Sequence, residues 1–169
     1  TAFRNPALLA KMAETVDEIS NGRLILGLGA GNTQAEFDVF GFPFDHRVSR
    51  FEEAIQVIHG MLRSGRSSLD GRWYQTRDAV NRPRGPRPNG APIMVGTTGP
   101  RMLGLTARYA DSWNVYFNEF GNAPAGLKPV LESVDAACRD AGRDAATLGK
   151  SVSVLVGMEG QQRIDGIAV

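Results

Sequence analysis

The sequence predicts an α/β fold with a parallel sheet, and three observations carry that prediction. Amphipathic helical stretches alternate with short apolar runs, the runs at 24–28 and 93–95 end in glycine-rich turns, and each turn feeds a further helical pattern. Alternation of this kind marks parallel strands joined by helical crossovers. Four strands are expected, over 24–28, 93–95, 111–117 and 151–157. Two architectures fit that order: an open doubly wound sheet, or part of a (β/α)8 barrel, whose complete form needs about 250 residues.

Asn5 followed by Pro6 is a helix start, with asparagine as cap and proline at the first helical position, where its missing N–H costs nothing. Leu8, Leu9, Met12, Val16 and Ile19 then recur at helical spacing, the pattern of a core-facing stripe, and Gly22 closes the element. The run 24–28 reads as a buried strand. Gly29 and Gly31 at its end either let a flat group lie against the backbone or only permit close packing. A dinucleotide-binding fingerprint fails here on spacing, and no acidic residue ends a second strand about twenty positions on. Residues 33–44 predict a short helix and turn, whose phenylalanines read as core plugs rather than a substrate cage.

Ser49 and Glu52 have capping-box spacing, and Phe51, Ala54, Ile55, Ile58, Met61 and Leu62 continue one apolar face to Gly65. His59 beside that face reads as a solvated helix residue rather than a ligand or base. Residues 67–92 predict a hairpin or extended excursion and then a proline-fixed loop. Its arginines read as solvated, with an acidic ligand tail as the alternative. A helix over 127–142 carries Cys138 on its apolar stripe, so burial is expected rather than catalysis. The last dozen residues are polar and predict no element.

The second chemical signal is Gly96, Thr97, Thr98, Gly99, Pro100 and Arg101, a turn that passes from strand straight into helix. Free N–H groups at a helix start, with the positive end of its dipole, make an anion site, to which the threonine hydroxyls and Arg101 can add donors. The same residues also fit an ordinary strand-to-helix turn.

Composition removes several classes of function. A chain of 169 residues with 42% hydrophobic content is long enough for an ordinary core. A net charge of +1 offers no broad field for nucleic acid or an anionic membrane. One cysteine and two histidines exclude a disulfide framework and leave no cluster with metal-ligand spacing. No signal peptide and no apolar stretch of about 20 residues are present, so a reduced, cytoplasmic setting is expected. The start at Thr1 reads as the tail of something in progress, and a fragment is expected.

Several motifs in one order resemble the bacterial luciferase-like monooxygenase family. They are Asn5 and Pro6 through Lys11, Asp17 to Ser20, Gly22 to Leu24, Leu26 through Gly31, Phe40 through Phe44, Arg47 to Glu52, Val95 to Arg101 and Ala110 to Asn114. The resemblance runs from about residue 4 to residue 157. It implies a TIM (β/α)8 barrel of luciferase-like type, present as a partial barrel holding about strands four to seven. That is one domain over 1–169, with an excursion at about 66–92. It also implies an oxidoreductase or monooxygenase using FMN or the deazaflavin coenzyme F-420 on a small organic substrate, and a homo-oligomer. The coenzyme-binding residues implied are Gly31 and Asn32 under the ring and Gly96, Thr97, Thr98, Gly99 and Arg101 at the phosphate. Many relatives carry tryptophan at the position of Asn32, and the family's deazaflavin sugar-phosphate dehydrogenases carry a catalytic glutamate there, which argues against that activity. No catalytic residue follows, because strands one to three and eight have no counterpart. The competing reading is a non-redox half-barrel that holds a phosphate-bearing ligand and binds no ring.

Overall fold

Local chemistry fixes most element starts. Asn5 Oδ1 accepts from the Ala7 and Leu8 amides and opens α1 (Pro6–Ile19), with Pro6 at the first position. In the computed structural model, residues 1–157, 163, 164, 167 and 168 are described. The chain divides into two compact units, residues 1–93 and 94–169.

In the first unit α1 leads to β1 (Leu26–Leu28), α2 (Gln34–Phe40) and α3 (Arg47–Ser64), which ends at Gly65 in the left-handed region as expected. The antiparallel hairpin of β2 (Arg66–Asp70) and β3 (Gln75–Val80) follows. Leu26 N–H donates to Pro92 O at 2.8 Å, which sets β1 beside the residues that lead into the next strand. Two expectations about these helices are corrected. Leu8, Met12, Val16 and Ile19 do not form the buried side of α1, since all four are exposed. The buried side is Pro6, Ala10, Ala13, Glu14 and Asp17, because small alanines let α1 approach α3, where Ala10 packs with Val57 and Met61. The α3 helix starts at Arg47, two residues before the expected capping serine. His46 caps it at φ 52° without a side-chain bond.

In the proline-fixed loop Arg82 is exposed as expected, but Arg84 and Arg87 are partly buried and turned back onto the first unit. Arg87 grips fully buried Asp17 through two contacts, Nε to Oδ2 at 3.0 Å and Nη2 to Oδ1 at 2.5 Å, and also donates to Leu24 O. Glu14, equally buried, accepts from Gly85 N and lies 3.8 Å from Arg84 Nε. Arg84 Nη2 donates to Leu62 O at 2.6 Å. Two acids on α1 thus pin a loop seventy positions later, and their polarity explains why an apolar-stripe rule chose the other side.

In the second unit β4 (Ile93–Gly96) runs into α4 (Pro100–Tyr109), then β5 (Ser112–Tyr116), a 3-10 turn (Phe117–Phe120), α5 (Pro124–Asp140) and β6 (Gly149–Ser153). The strands β4 and β5 pair in parallel with Gly96 opposite Asn114, and β5 pairs in parallel with β6 with Asn114 opposite Ser151. One face of β5 is core, where Trp113 and Val115 pack with Leu103, Ala107, Val134 and buried Cys138 from α4 and α5. The fourth strand is shorter and earlier than expected, ending at Ser153 rather than 157. Within the terminal segment expected to be irregular, β7 (Arg163–Ile164) and β8 (Ile167–Ala168) form a short antiparallel ladder.

Candidate coenzyme site

At the end of β1, Gly31 has φ +84°, and a Cβ built on it would stand 2.7 Å from the Phe37 ring. Both facts require glycine there, the first because side chains are strained at such angles and the second because Phe37 is buried. Of the two sequence alternatives for Gly31, close packing is met at least in part, by Phe37. Asn32 is exposed, and its Oδ1 accepts from Thr33 Oγ1 at 3.2 Å.

Phe37 is the plug expected of the phenylalanine run, but Phe40 and Phe42 are exposed. Phe3 stacks edge-on against Phe37 at 4.9 Å and contacts Phe40 and Phe42 at 5.4 and 5.3 Å, so an aromatic rim surrounds one buried ring. A cleft of about 300 Å³ lies beside β1, lined by Thr1, Phe3, Arg4, Leu9, Leu26, Gly27 and Leu28.

In the second unit, Gly96 ends β4 and Gly99 is the cap residue of α4, with Pro100 at the first position and no side-chain cap bond. The positive end of the α4 dipole thus begins at a glycine cap that itself offers no side-chain bond. Thr97 is committed elsewhere. Its hydroxyl accepts from Gly99 N at 3.3 Å, its N–H donates to Asn114 O, and its carbonyl accepts from the buried Trp113 indole at 2.7 Å. That tryptophan anchors the turn. Thr98 Oγ1 donates to Glu119 Oε2 at 3.0 Å. Glu119 sits in the 3-10 turn after β5, and sequence reasoning missed it because no local pattern joins positions twenty-one apart. Arg101 is exposed in the first turn of α4.

The predicted residues thus fall in two groups at the carboxyl ends of β1 and β4, which in α/β folds is the functional end. Among the described residues no group of three or more histidine, cysteine, aspartate or glutamate side chains is placed to hold a metal ion. No helix among them is long and apolar enough to cross a membrane.

The profile of the family described as luciferase-like monooxygenase matches residues 1–162. The chain belongs to that family. It is 34% identical over 155 residues to a phthiodiolone/phenolphthiodiolone dimycocerosates ketoreductase of Mycobacterium sp. strain JLS, covering 90% of this chain and 40% of that one. To the pyrimidine monooxygenase RutA of Methylorubrum extorquens strain PA1 it is 35% identical over 147 residues, covering 84% and 39%. The chain therefore spans about two fifths of the length of these curated relatives. Among solved structures it resembles the coenzyme F-420 dependent tetrahydromethanopterin reductase of Methanopyrus kandleri, with TM-score 0.73, 25% identity, and coverage of 88% of this chain and 46% of that one. A riboflavin lyase solved with modified FMN and riboflavin superposes at TM-score 0.75 with 15% identity over 90% and 38% of the two chains, a likeness of fold. The fold is thus α/β with parallel strands, a partial barrel of the luciferase-like TIM-barrel type.

Proposed function

We propose that this chain carries the coenzyme-binding part of an oxidoreductase that uses FMN or the deazaflavin coenzyme F-420 on a small organic substrate. The observation that carries the reading is the passage of β4 through Gly96 and Gly99 directly into the Pro100-started, positive end of α4, with a glycine as its cap residue. Such a helix start suits a phosphate. The relatives support the rest: one is a ketoreductase, one a monooxygenase and one an F-420 dependent reductase. Bound there, the ring would supply the hydride or oxygen chemistry.

The residues present fit a phosphate with one exchange. Gly96 and Gly99 keep the approach open, and nothing lies near a Cβ built on Gly99. Arg101 brings a cation to the first turn, and Thr97 holds the turn in shape by bonding Gly99 N. Thr98 would turn its hydroxyl from Glu119 to the phosphate. Gly31 and Asn32 would line the ring, Asn32 offering an amide donor and acceptor.

Fluorescence titration of the protein made from its whole reading frame, with FMN, F-420 and riboflavin, tests the reading. FMN or F-420 is expected to bind, and Thr98→Glu to weaken that binding by about 1 to 3 kcal/mol through repulsion of the phosphate. Binding of inorganic phosphate with no affinity for either ring would instead establish the non-redox phosphate-binding half-barrel.

A further inference from the structure

In a (β/α)8 barrel the strand faces turned away from the helices are filled mainly by bulky branched apolar side chains. On β5 and β6 this chain breaks that rule. Trp113 and Val115 point to the helices and are buried, so by alternation Ser112, Asn114 and Tyr116 occupy the opposite face. The register sets Ser151 beside Asn114, with Ser153 two residues further along the same face. Asn114 Nδ2 donates to Ser151 Oγ at 3.0 Å, and Ser153 Oγ donates to Asn114 Oδ1 at 3.4 Å. Ser151 Oγ is itself fixed by donating to Trp113 O at 3.2 Å.

The hydrogen-bond count makes this arrangement specific. An asparagine amide has two N–H donors and two acceptor lone pairs. The two serines take one of each, which sets the amide plane and leaves one donor and one acceptor. Asn114 is half-exposed, and its partner on the other side, Gly96, contributes no side chain. A notch therefore opens beside the amide, level with Gly96 at the end of β4 and with Ser151 in the middle of β6.

We propose that Asn114, positioned by Ser151 and Ser153, recognises a ligand edge carrying both a carbonyl and an N–H, that is, an amide or imide edge. This deepens the coenzyme reading above and rests on it. The edge belongs either to the pyrimidinedione end of the coenzyme ring or to an imide-bearing substrate, and the two sources are separable.

The experiment titrates the protein from its whole reading frame with FMN, N3-methyl-FMN and riboflavin, and then titrates the FMN-loaded protein with uracil as a free imide. If the ring is the source, wild type prefers FMN to its N3-methyl form by about five- to tenfold. Asn114→Leu abolishes that preference while the advantage of FMN over riboflavin, which reports the phosphate, is unchanged. With the substrate as the source, the N3-methyl preference does not respond to the substitution and uracil affinity falls by the same factor. Ser151→Ala with Ser153→Ala gives a partial loss in the same arm. Asn114→Asp, nearly isosteric, removes the donor and serves if the leucine variant fails to fold. Wild-type values in both arms for a folded variant overturn the proposal, as does a wild-type protein that binds none of FMN, F-420 and uracil. A protein that binds uracil through Asn114 but neither flavin nor F-420 keeps the imide site and removes the coenzyme reading.

Discussion

Asp17 shows how a single buried carboxylate can govern a distant loop. It is fully buried, takes both contacts of Arg87 and accepts from the Leu24 amide. Its replacement would leave a half-buried guanidinium without its partner. Asp17→Ala is expected to cost about 3 to 5 kcal/mol, read from the urea midpoint, and Asp17→Leu combined with Arg87→Met to recover much of it. Equal losses in the single and double variants would show that the pair does not act as a unit. At the proposed phosphate site Glu119 has the opposite character. Its carboxylate holds the Thr98 hydroxyl that a phosphate would need and places a like charge nearby. Glu119→Gln is expected to tighten FMN by roughly three- to tenfold at low salt. Riboflavin, which lacks the phosphate, should bind as before, and a parallel gain for riboflavin would rule out the charge as the cause. Gly31 is a poor probe of the ring, since its φ and the Phe37 contact make any side chain there a stability lesion first.

The turn of the β2–β3 hairpin donates three hydrogen bonds to one α3 side chain, Glu53. Both Glu53 oxygens accept from the turn, Oε1 from Arg72 N at 2.9 Å and Oε2 from Trp73 N and Tyr74 N at 2.7 and 2.8 Å. Arg50 lies 4.0 Å over the Trp73 ring and His46 stacks on it at 5.2 Å, so the turn is clamped from two sides. Within this cluster burial raises the Tyr74 hydroxyl above the ordinary tyrosine value of 10.0, Glu53 adds to the rise and Arg50 opposes it. A pKa raised by folding contributes stability that is complete below the unfolded value and is lost as pH climbs through the folded one. Stability is therefore expected to fall as pH rises above 10.0. Tyr74→Phe should remove that component, and an identical decline in the variant would assign it to other groups.

At the level of the whole molecule, α1 turns Leu8, Met12, Val16 and Ile19 to solvent, with Ile19 79% exposed. A continuous exposed apolar stripe of this kind favours association. The isolated 169-residue chain is expected to self-associate and to turn over no substrate. Sedimentation should give a species heavier than 18.2 kDa. Val16→Lys with Ile19→Lys should shift it toward the monomer. A stable wild-type monomer with steady-state activity would show that this stripe and the remaining length of the relatives are dispensable.

The sequence by itself determined those features whose cause lies within a few residues. Pro6 and Pro100 start helices because a helix start has no use for their missing N–H. Gly65 ends α3 because the left-handed angle there disfavours side chains. The runs ending at Leu28 and Gly96 read as strands from apolarity and flanking glycines, and enough motifs lie in order to place the family. Tertiary structure alone decided which side of α1 is buried. That outcome depends on Arg84 and Arg87 meeting Glu14 and Asp17 across seventy residues, and no helical periodicity contains such a pairing. It also decided that Phe37 lies against Gly31, that Glu119 holds Thr98, and that two serines from β6 orient Asn114. Each of these is a contact between polar or bulky groups far apart in the chain, where the free energy depends on distance in space and local spacing carries no record of it.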